Sequence, residues 1–224
     1  MKLRKRLGCL HAHYSNIEYM DNAFSAYNLE LIHFIEPGLM YRAASDENFQ
    51  ESDAQRKVNE QIEWMAQCGV DAILITCTNY IAFLKEDQLS TAVPIIKMDE
   101  PYFDSISKID QPQVILFSNP ATVKGTMERL RQYTDHQQKC LDIEVMVINE
   151  TFDLIMRGLK DEYNQKVSES LHQVIKDNDK AVSVAQLSMV DAAYQVEEET
   201  SKKILPPLYA LIPFIVNQLE LETK

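Results

Sequence analysis

One segment constrains this chain more than any other: Gly69-Val70-Asp71-Ala72-Ile73-Leu74-Ile75-Thr76-Cys77-Thr78-Asn79. Its apolar run is nearly continuous and short, the pattern of a parallel strand covered by helices on both faces. The run stops on a cysteine and two small polar residues, at the end of the strand where open α/β sheets hold their ligands. A second segment repeats the theme, with Ala181-Val182-Ser183-Val184-Ala185 running into Gln186-Leu187-Ser188-Met189. If the two halves are related by pseudo-symmetry, these loops face each other across a cleft. The fold class expected is therefore α/β, with two similar subdomains on mainly parallel sheets in three layers and an active site between them.

The rest of the chain supplies matching elements. Leu3 to Leu10, Asn28 to Ile35, Val93 to Ile96, Gln113 to Phe117 and Ile143 to Ile148 read as further strands. Ile17, Met20, Phe24 and Tyr27 fall at helical spacing, as do Val58, Ile62, Met65 and Ala66. Ser52, three residues before Gln55, reads as a capping box for the second of these helices, which is expected to end at Gly69. Asn119 followed by Pro120 reads as an N-cap with proline at the first helical position. Pro206-Pro207 precedes an apolar terminal helix with Leu208, Leu211, Ile215 and Leu219. Proline and charge at Asp99-Glu100-Pro101 mark a boundary. The expected division is 1–98 plus 204–224 for the half carrying Cys77, and 99–203 for the half carrying Gln186.

Composition narrows the function. The net charge of -12 over 224 residues excludes nonspecific nucleic-acid binding, which needs lysine and arginine to displace counterions. No apolar stretch is long enough for a membrane span, and the basic start runs into a short apolar stretch broken by His11, His13 and Asn16, unlike a signal peptide. A cytoplasmic protein is expected. The four cysteines, Cys9, Cys68, Cys77 and Cys140, form no CxxC pair and no compact ligand pattern, so no metal is expected. No GxGxxG fingerprint supports a nicotinamide or flavin, and neither strand-end loop offers a lysine for pyridoxal phosphate, so no cofactor is expected.

The candidate residues each carry two readings. Cys77 is a nucleophile or proton-transfer base whose thiolate is favoured by free helix N–H groups, or a small buried cysteine at a strand end. Thr78 and Asn79 cap the next helix or cradle a small anion, and Ser118, Asn119 and Thr122 form a similar loop. His11 and His13 alternate, so one faces a ligand and the other packs or meets solvent. His33, within an apolar strand, reads as a core histidine. Asp99 and Glu100 orient a thiol or a substrate ammonium, or form a solvated turn.

These segments together resemble the aspartate/glutamate/hydantoin racemase superfamily over nearly the whole length. The resemblance rests on Gly8-Cys9-Leu10-His11-Ala12-His13, Thr76-Cys77-Thr78-Asn79, Lys97-Met98-Asp99-Glu100-Pro101, Ser118-Asn119-Pro120-Ala121-Thr122 and Val184-Ala185-Gln186-Leu187-Ser188-Met189. It implies two opposed cysteines that exchange protons with a substrate carbon, and polar loops that bind its carboxylate. Cys77 matches the first cysteine, and Thr78, Asn79, Ser118 and Thr122 match the carboxylate loops. Gln186 stands where the second cysteine belongs, with Ser188 two residues on, so the chain is similar to a divergent member lacking one thiol. The resemblance thus implies a cofactor-independent isomerase or lyase-like enzyme on a small carboxylate or amino-acid-like substrate bound in the interdomain cleft, with Cys77 as base or nucleophile and Gln186 as hydrogen-bond donor. The alternatives are a non-catalytic carboxylate-binding protein and a racemase with an atypical second acid/base. A homodimer is expected from the same resemblance.

Overall fold

A computed structural model describes residues 4–177 and 179–224. Leu3, with which the sequence opens its first strand, lies outside them. The chain divides into two compact units, Met1–Met98 with Ile212–Lys224, and Asp99–Leu211.

The first unit is built on strands β1 (Lys5–His11), β2 (Leu29–Ile35), β3 (Ala72–Ile75) and β4 (Ile95–Lys97), all parallel, in the order β2-β1-β3-β4. Position in the sheet explains composition. Central β3 is buried along its whole length and β1 from Leu7 to His11, so both are apolar on both faces, whereas edge strand β2 is only partly buried. Helices α1 (Asn16–Phe24), α2 (Gly38–Ser45), α3 (Glu51–Ala66) and α4 (Thr78–Phe83) connect the strands. Ala54, Val58, Ile62 and Met65 of α3 pack on Val70, Ile73 and Ile75. The capping box of α3 differs from the expected one: Gln50 is the N-cap and Asp53 the reciprocating residue. Gln50 has the extended backbone an N-cap needs, and Asp53 places its charge near the helix's N–H groups. Beyond α3 the chain turns through Gly69 at φ +70, which a residue with a side chain adopts only under strain.

The second unit repeats the topology with β5 (Gln113–Phe117), β6 (Ile143–Val147), β7 (Ala181–Val184) and β8 (Ile204–Leu205), parallel in the order β6-β5-β7-β8. Its helices are α5 (Asp99–Ser107), α6 (Val123–His136), α7 (Thr151–Met156), α8 (Lys160–Asp177) and α9 (Val190–Thr200). Asn119 caps the 3-10 turn Pro120–Thr122 that leads into α6, its side chain accepting from Ala121 N at 3.0 Å, with Pro120 at the first position as expected. One core cluster joins Val114, Leu116, Val182 and Val184 to Tyr163, Val167, Leu171 and Val196 of α8 and α9. A second joins Ile115 and Phe117 to Tyr102, Phe103 and Ile106 of α5. The sheet therefore has helices on both faces. Since Ile204–Leu205 pairs with β7, residues 204–211 stay with this unit, and the chain returns to the first unit at Ile212, inside α10 (Pro207–Gln218). Among the described residues no helix is long and apolar enough to cross a membrane.

Candidate functional site

In a sheet of order 2-1-3-4 the chain leaves the first and third strands in opposite directions, so their C-terminal ends border the crevice where ligands bind. In the first unit these ends are His11 of β1 and Thr76-Cys77 after β3. They are joined directly, His11 Nδ1 lying 2.8 Å from Thr76 Oγ1. Thr76 donates its hydroxyl to Leu10 O at 3.1 Å and receives the Asn16 side chain at 3.3 Å. His11 is fully buried, and burial, helped by neighbouring His33, lowers its pKa to about 4.

Cys77 is the N-cap of α4 and partly buried, with Thr78 the first residue of the helix. Burial raises the thiol's pKa, while the N–H groups of Asn79 and Tyr80 pull it the other way. Cys77 is thus a thiol at rest, with two N–H groups to stabilise a thiolate once formed. Asn79 turns its side-chain amide to Met40 Sδ at 3.4 Å. Tyr80 donates its hydroxyl to Glu36 Oε2 at 2.6 Å, and Glu36 also receives the Gly38 and Leu39 N–H groups at 3.0 and 3.1 Å. His13 lies beyond β1 rather than alternating along it. Its ring meets Ser15 Oγ at 2.9 Å and lies tilted against the Tyr14 ring, the centroids 4.3 Å apart.

The equivalent strand ends of the second unit are also bridged. Gln186 Oε1 accepts from Ser118 N at 2.6 Å, Ser118 Oγ at 2.9 Å and Asn119 N at 3.0 Å. The amide oxygen of Gln186 thus occupies donors expected to hold a carboxylate, whereas the donor expected to meet a ligand is the other end of the same amide, Nε2. The physical reason is that two convergent N–H groups and a hydroxyl demand an acceptor, and a glutamine on the adjacent strand end supplies one. Ser118 Oγ in turn receives the Tyr163 hydroxyl at 2.8 Å, and that hydroxyl contacts Ser188 Oγ at 2.7 Å. Burial, opposed by these two hydrogen bonds, pushes the Tyr163 pKa up to about 12. Thr122 donates to Asn119 O at 2.9 Å and serves the turn. Asp99 is not a solvated orienting group: it is buried and held in a two-pronged ion pair by Arg129, with Nε at 2.7 Å and Nη2 at 2.9 Å, while its neighbour Glu100 is half-buried in the first turn of α5.

The expectation of no metal pattern also meets a difference. Parallel pairing sets Cys9 opposite His33, and Cys9, His11 and His33 present ligand atoms within 4.8 Å of one another. No sequence spacing signals this, because the register of two strands brings the residues together. Asn16, Asp21, Glu36, Tyr80 and Tyr163 likewise carry no signature in the sequence.

No family model matches the sequence, and no curated protein is similar to it in sequence. Solved structures are similar in fold. An aspartate racemase from Picrophilus torridus superposes with a TM-score of 0.73 at 14% identity, over 98% of this chain and 96% of that one. The fold is that of the aspartate and glutamate racemases. A glutamate racemase from Francisella tularensis in complex with D-glutamate superposes with a TM-score of 0.66 at 14% identity, over 97% of this chain and 81% of its own. An allantoin racemase from Klebsiella pneumoniae gives 0.64 at 20% identity, over 98% and 90%. On this racemase fold the chain carries a cysteine at one switch-point strand end and a glutamine at the other.

Proposed function

We propose that this protein is a cofactor-independent, isomerase-type enzyme of small carboxylates, with Cys77 as its proton carrier. The observation that carries the reading is Cys77 at the end of central β3, next to the Thr76 that His11 and Asn16 hold in place, on a racemase fold. A thiol whose pKa is raised arrives at the substrate protonated, and the Asn79 and Tyr80 N–H groups stabilise its conjugate base. One thiol reaches one face of a planar carbanion. Inversion needs a group on each face, whereas a proton shift between two carbons on the same face needs only one. Once Cys77 has lost its own proton to solvent, its thiolate takes a proton from a carbon next to the carboxylate, breaking C–H and forming S–H, and returns it to the other end of the delocalised anion, which regenerates the thiolate. D-Glutamate, the ligand in the Francisella tularensis structure, sets the size class of substrate.

A second reading rests on Gln186. It stands where the resemblance places the second cysteine, and an amide exchanges no proton at neutral pH, which favours a protein that binds a carboxylate without turning it over. Small dicarboxylates and amino acids incubated in D2O separate the two readings by NMR. Loss of a substrate C–H signal that disappears with Cys77→Ser supports the enzyme. Saturable binding unchanged in Cys77→Ser, with no exchange, supports the binding protein and overturns the first reading.

A further inference from the structure

The hydrogen bonds around His11 and His33 leave an unbalanced centre. Thr76 Oγ1 lies 2.8 Å from His11 Nδ1 and 3.1 Å from Leu10 O, which also takes the Thr76 N–H; when the hydroxyl turns to Leu10 O it accepts from His11, and Nδ1 carries the proton. His33 Nε2 faces the Asp21 carboxylate at 3.2 Å, an acceptor only, so that nitrogen carries a proton too. The two remaining nitrogens, His11 Nε2 and His33 Nδ1, point at each other at 2.9 Å. With both outer nitrogens protonated, both inner ones present lone pairs to the space between them, a pair of donors suited to one cation. A third soft donor stands beside this gap: Cys9 Sγ is fully buried and has only a weak 3.9 Å contact to Leu7 O.

We propose that Cys9, His11 and His33 bind one zinc-type divalent ion, a structural site that ties β1 to β2. Three features of the molecule support it. Cys9 and His11 are two residues apart on β1 and so share a face, and the register puts His33 of β2 opposite Cys9. Zinc–nitrogen bonds of about 2.0–2.1 Å in tetrahedral geometry hold two nitrogens about 3.3 Å apart, so the facing rings open by about 0.4 Å and turn their lone pairs toward a common centre on the Cys9 side. Each histidine already has the outer partner that fixes a metal-binding tautomer, Thr76 for His11 and the Asp21 carboxylate for His33. The way in runs past His33, whose side chain is 16% exposed, whereas Cys9 and His11 are sealed. Binding displaces the Cys9 thiol proton to solvent and forms the metal–sulfur bond. The reading is independent of any turnover at Cys77.

The test uses Co2+ as the spectroscopic probe and Zn2+ as its competitor, in a full-length chain with exposed Cys68 and Cys140 replaced by serine. The expected result is one equivalent of Co2+ with a sulfur-to-cobalt charge-transfer band, displaced by Zn2+ and accompanied by a raised Tm. Cys9→Ser abolishes the band and Cys77→Ser leaves it intact. His33→Gln, a change at the partly exposed ligand that spares the core, abolishes tight binding, and Asp21→Asn weakens it by about 10–100-fold. Absence of stoichiometric binding in a folded chain means that a proton alone fills the gap, and overturns the proposal. So does a band that survives Cys9→Ser or binding unaffected by His33→Gln.

Discussion

Replacing Gln186 with alanine tests whether its amide oxygen plugs an anion cradle. The oxygen accepts from Ser118 N, Ser118 Oγ and Asn119 N at 2.6, 2.9 and 3.0 Å, and Ser118 is 1% exposed. In Gln186→Ala the serine hydroxyl can rotate, but two backbone N–H groups lose their acceptor. Each buried, unsatisfied donor costs about 1–3 kcal/mol, and water reaching half-buried Asn119 offsets part of this, giving a loss of about 2–4 kcal/mol. For a chain of this size each kcal/mol moves Tm by about 2–4 °C, so differential scanning fluorimetry is expected to show a drop of about 5–15 °C. Formate or acetate then acts as the missing oxygen. At ten times its Kd such a ligand returns about 1.4 kcal/mol by mass action, so it raises the Tm of Gln186→Ala by about 3–6 °C more than that of the parent. Gln186→Glu keeps an acceptor in place and stays near the parent Tm at neutral pH. A Gln186→Ala protein as stable as the parent, or one that carboxylates do not restore, refutes the plug.

Three further outcomes follow from buried or strained positions. Alkylation at pH 8 is expected to modify exposed Cys68 and Cys140 first, with Cys77 slow and still gaining rate above pH 9, because a raised pKa delays thiolate formation; peptide mass spectrometry of a timed reaction reads this, and fastest labelling at Cys77 contradicts it. Asp99→Ala leaves the Arg129 guanidinium half-stranded, at a cost of about 3 kcal/mol in urea unfolding, while the double variant with Arg129→Met recovers most of the loss. At Gly8 a Cβ would sit 3.2 Å from Val70 Cγ1 and 3.3 Å from Met65 Cε, so Gly8→Val is expected to cost about 1–3 kcal/mol, and Gly8→Ala less because the end of Met65 can shift.

The strands were legible because central parallel strands must be apolar on both faces, and the Val70–Thr76 and Gln113–Phe117 runs have no other use. The terminal boundary was less so. Two residues, Ile204 and Leu205, are enough to add an edge strand, and so short a run carries no periodicity. Side-chain chemistry divides in the same way. Cys77 stands out in the sequence because a polar break after an apolar strand is a local event. Cys9, His11 and His33 do not, since their meeting depends on which residue of β1 faces which residue of β2.

Gln186 shows the deeper limit. Its residue type announces an amide with both donors and an acceptor, and only the neighbours fix which way each end faces. Ser118 and Asn119 are donors on the strand end beside it, so the oxygen is the end turned toward them. The two units solve the same problem with different chemistry: each bridges its first and third strand ends through a side chain, Thr76 to His11 and Leu10 O in one and Gln186 to Ser118 and Asn119 in the other. The first bridge spares the adjacent Cys77 thiol. The second uses up the donors that a carboxylate would need. A ligand carboxylate entering the second loop must therefore displace the glutamine oxygen and bear the cost of breaking its hydrogen bonds, whereas at Cys77 the Asn79 and Tyr80 N–H groups face a thiol sulfur, a weaker acceptor. This asymmetry is why removing the Gln186 side chain is expected to strengthen carboxylate binding at Ser118 and Asn119 even as it weakens the fold.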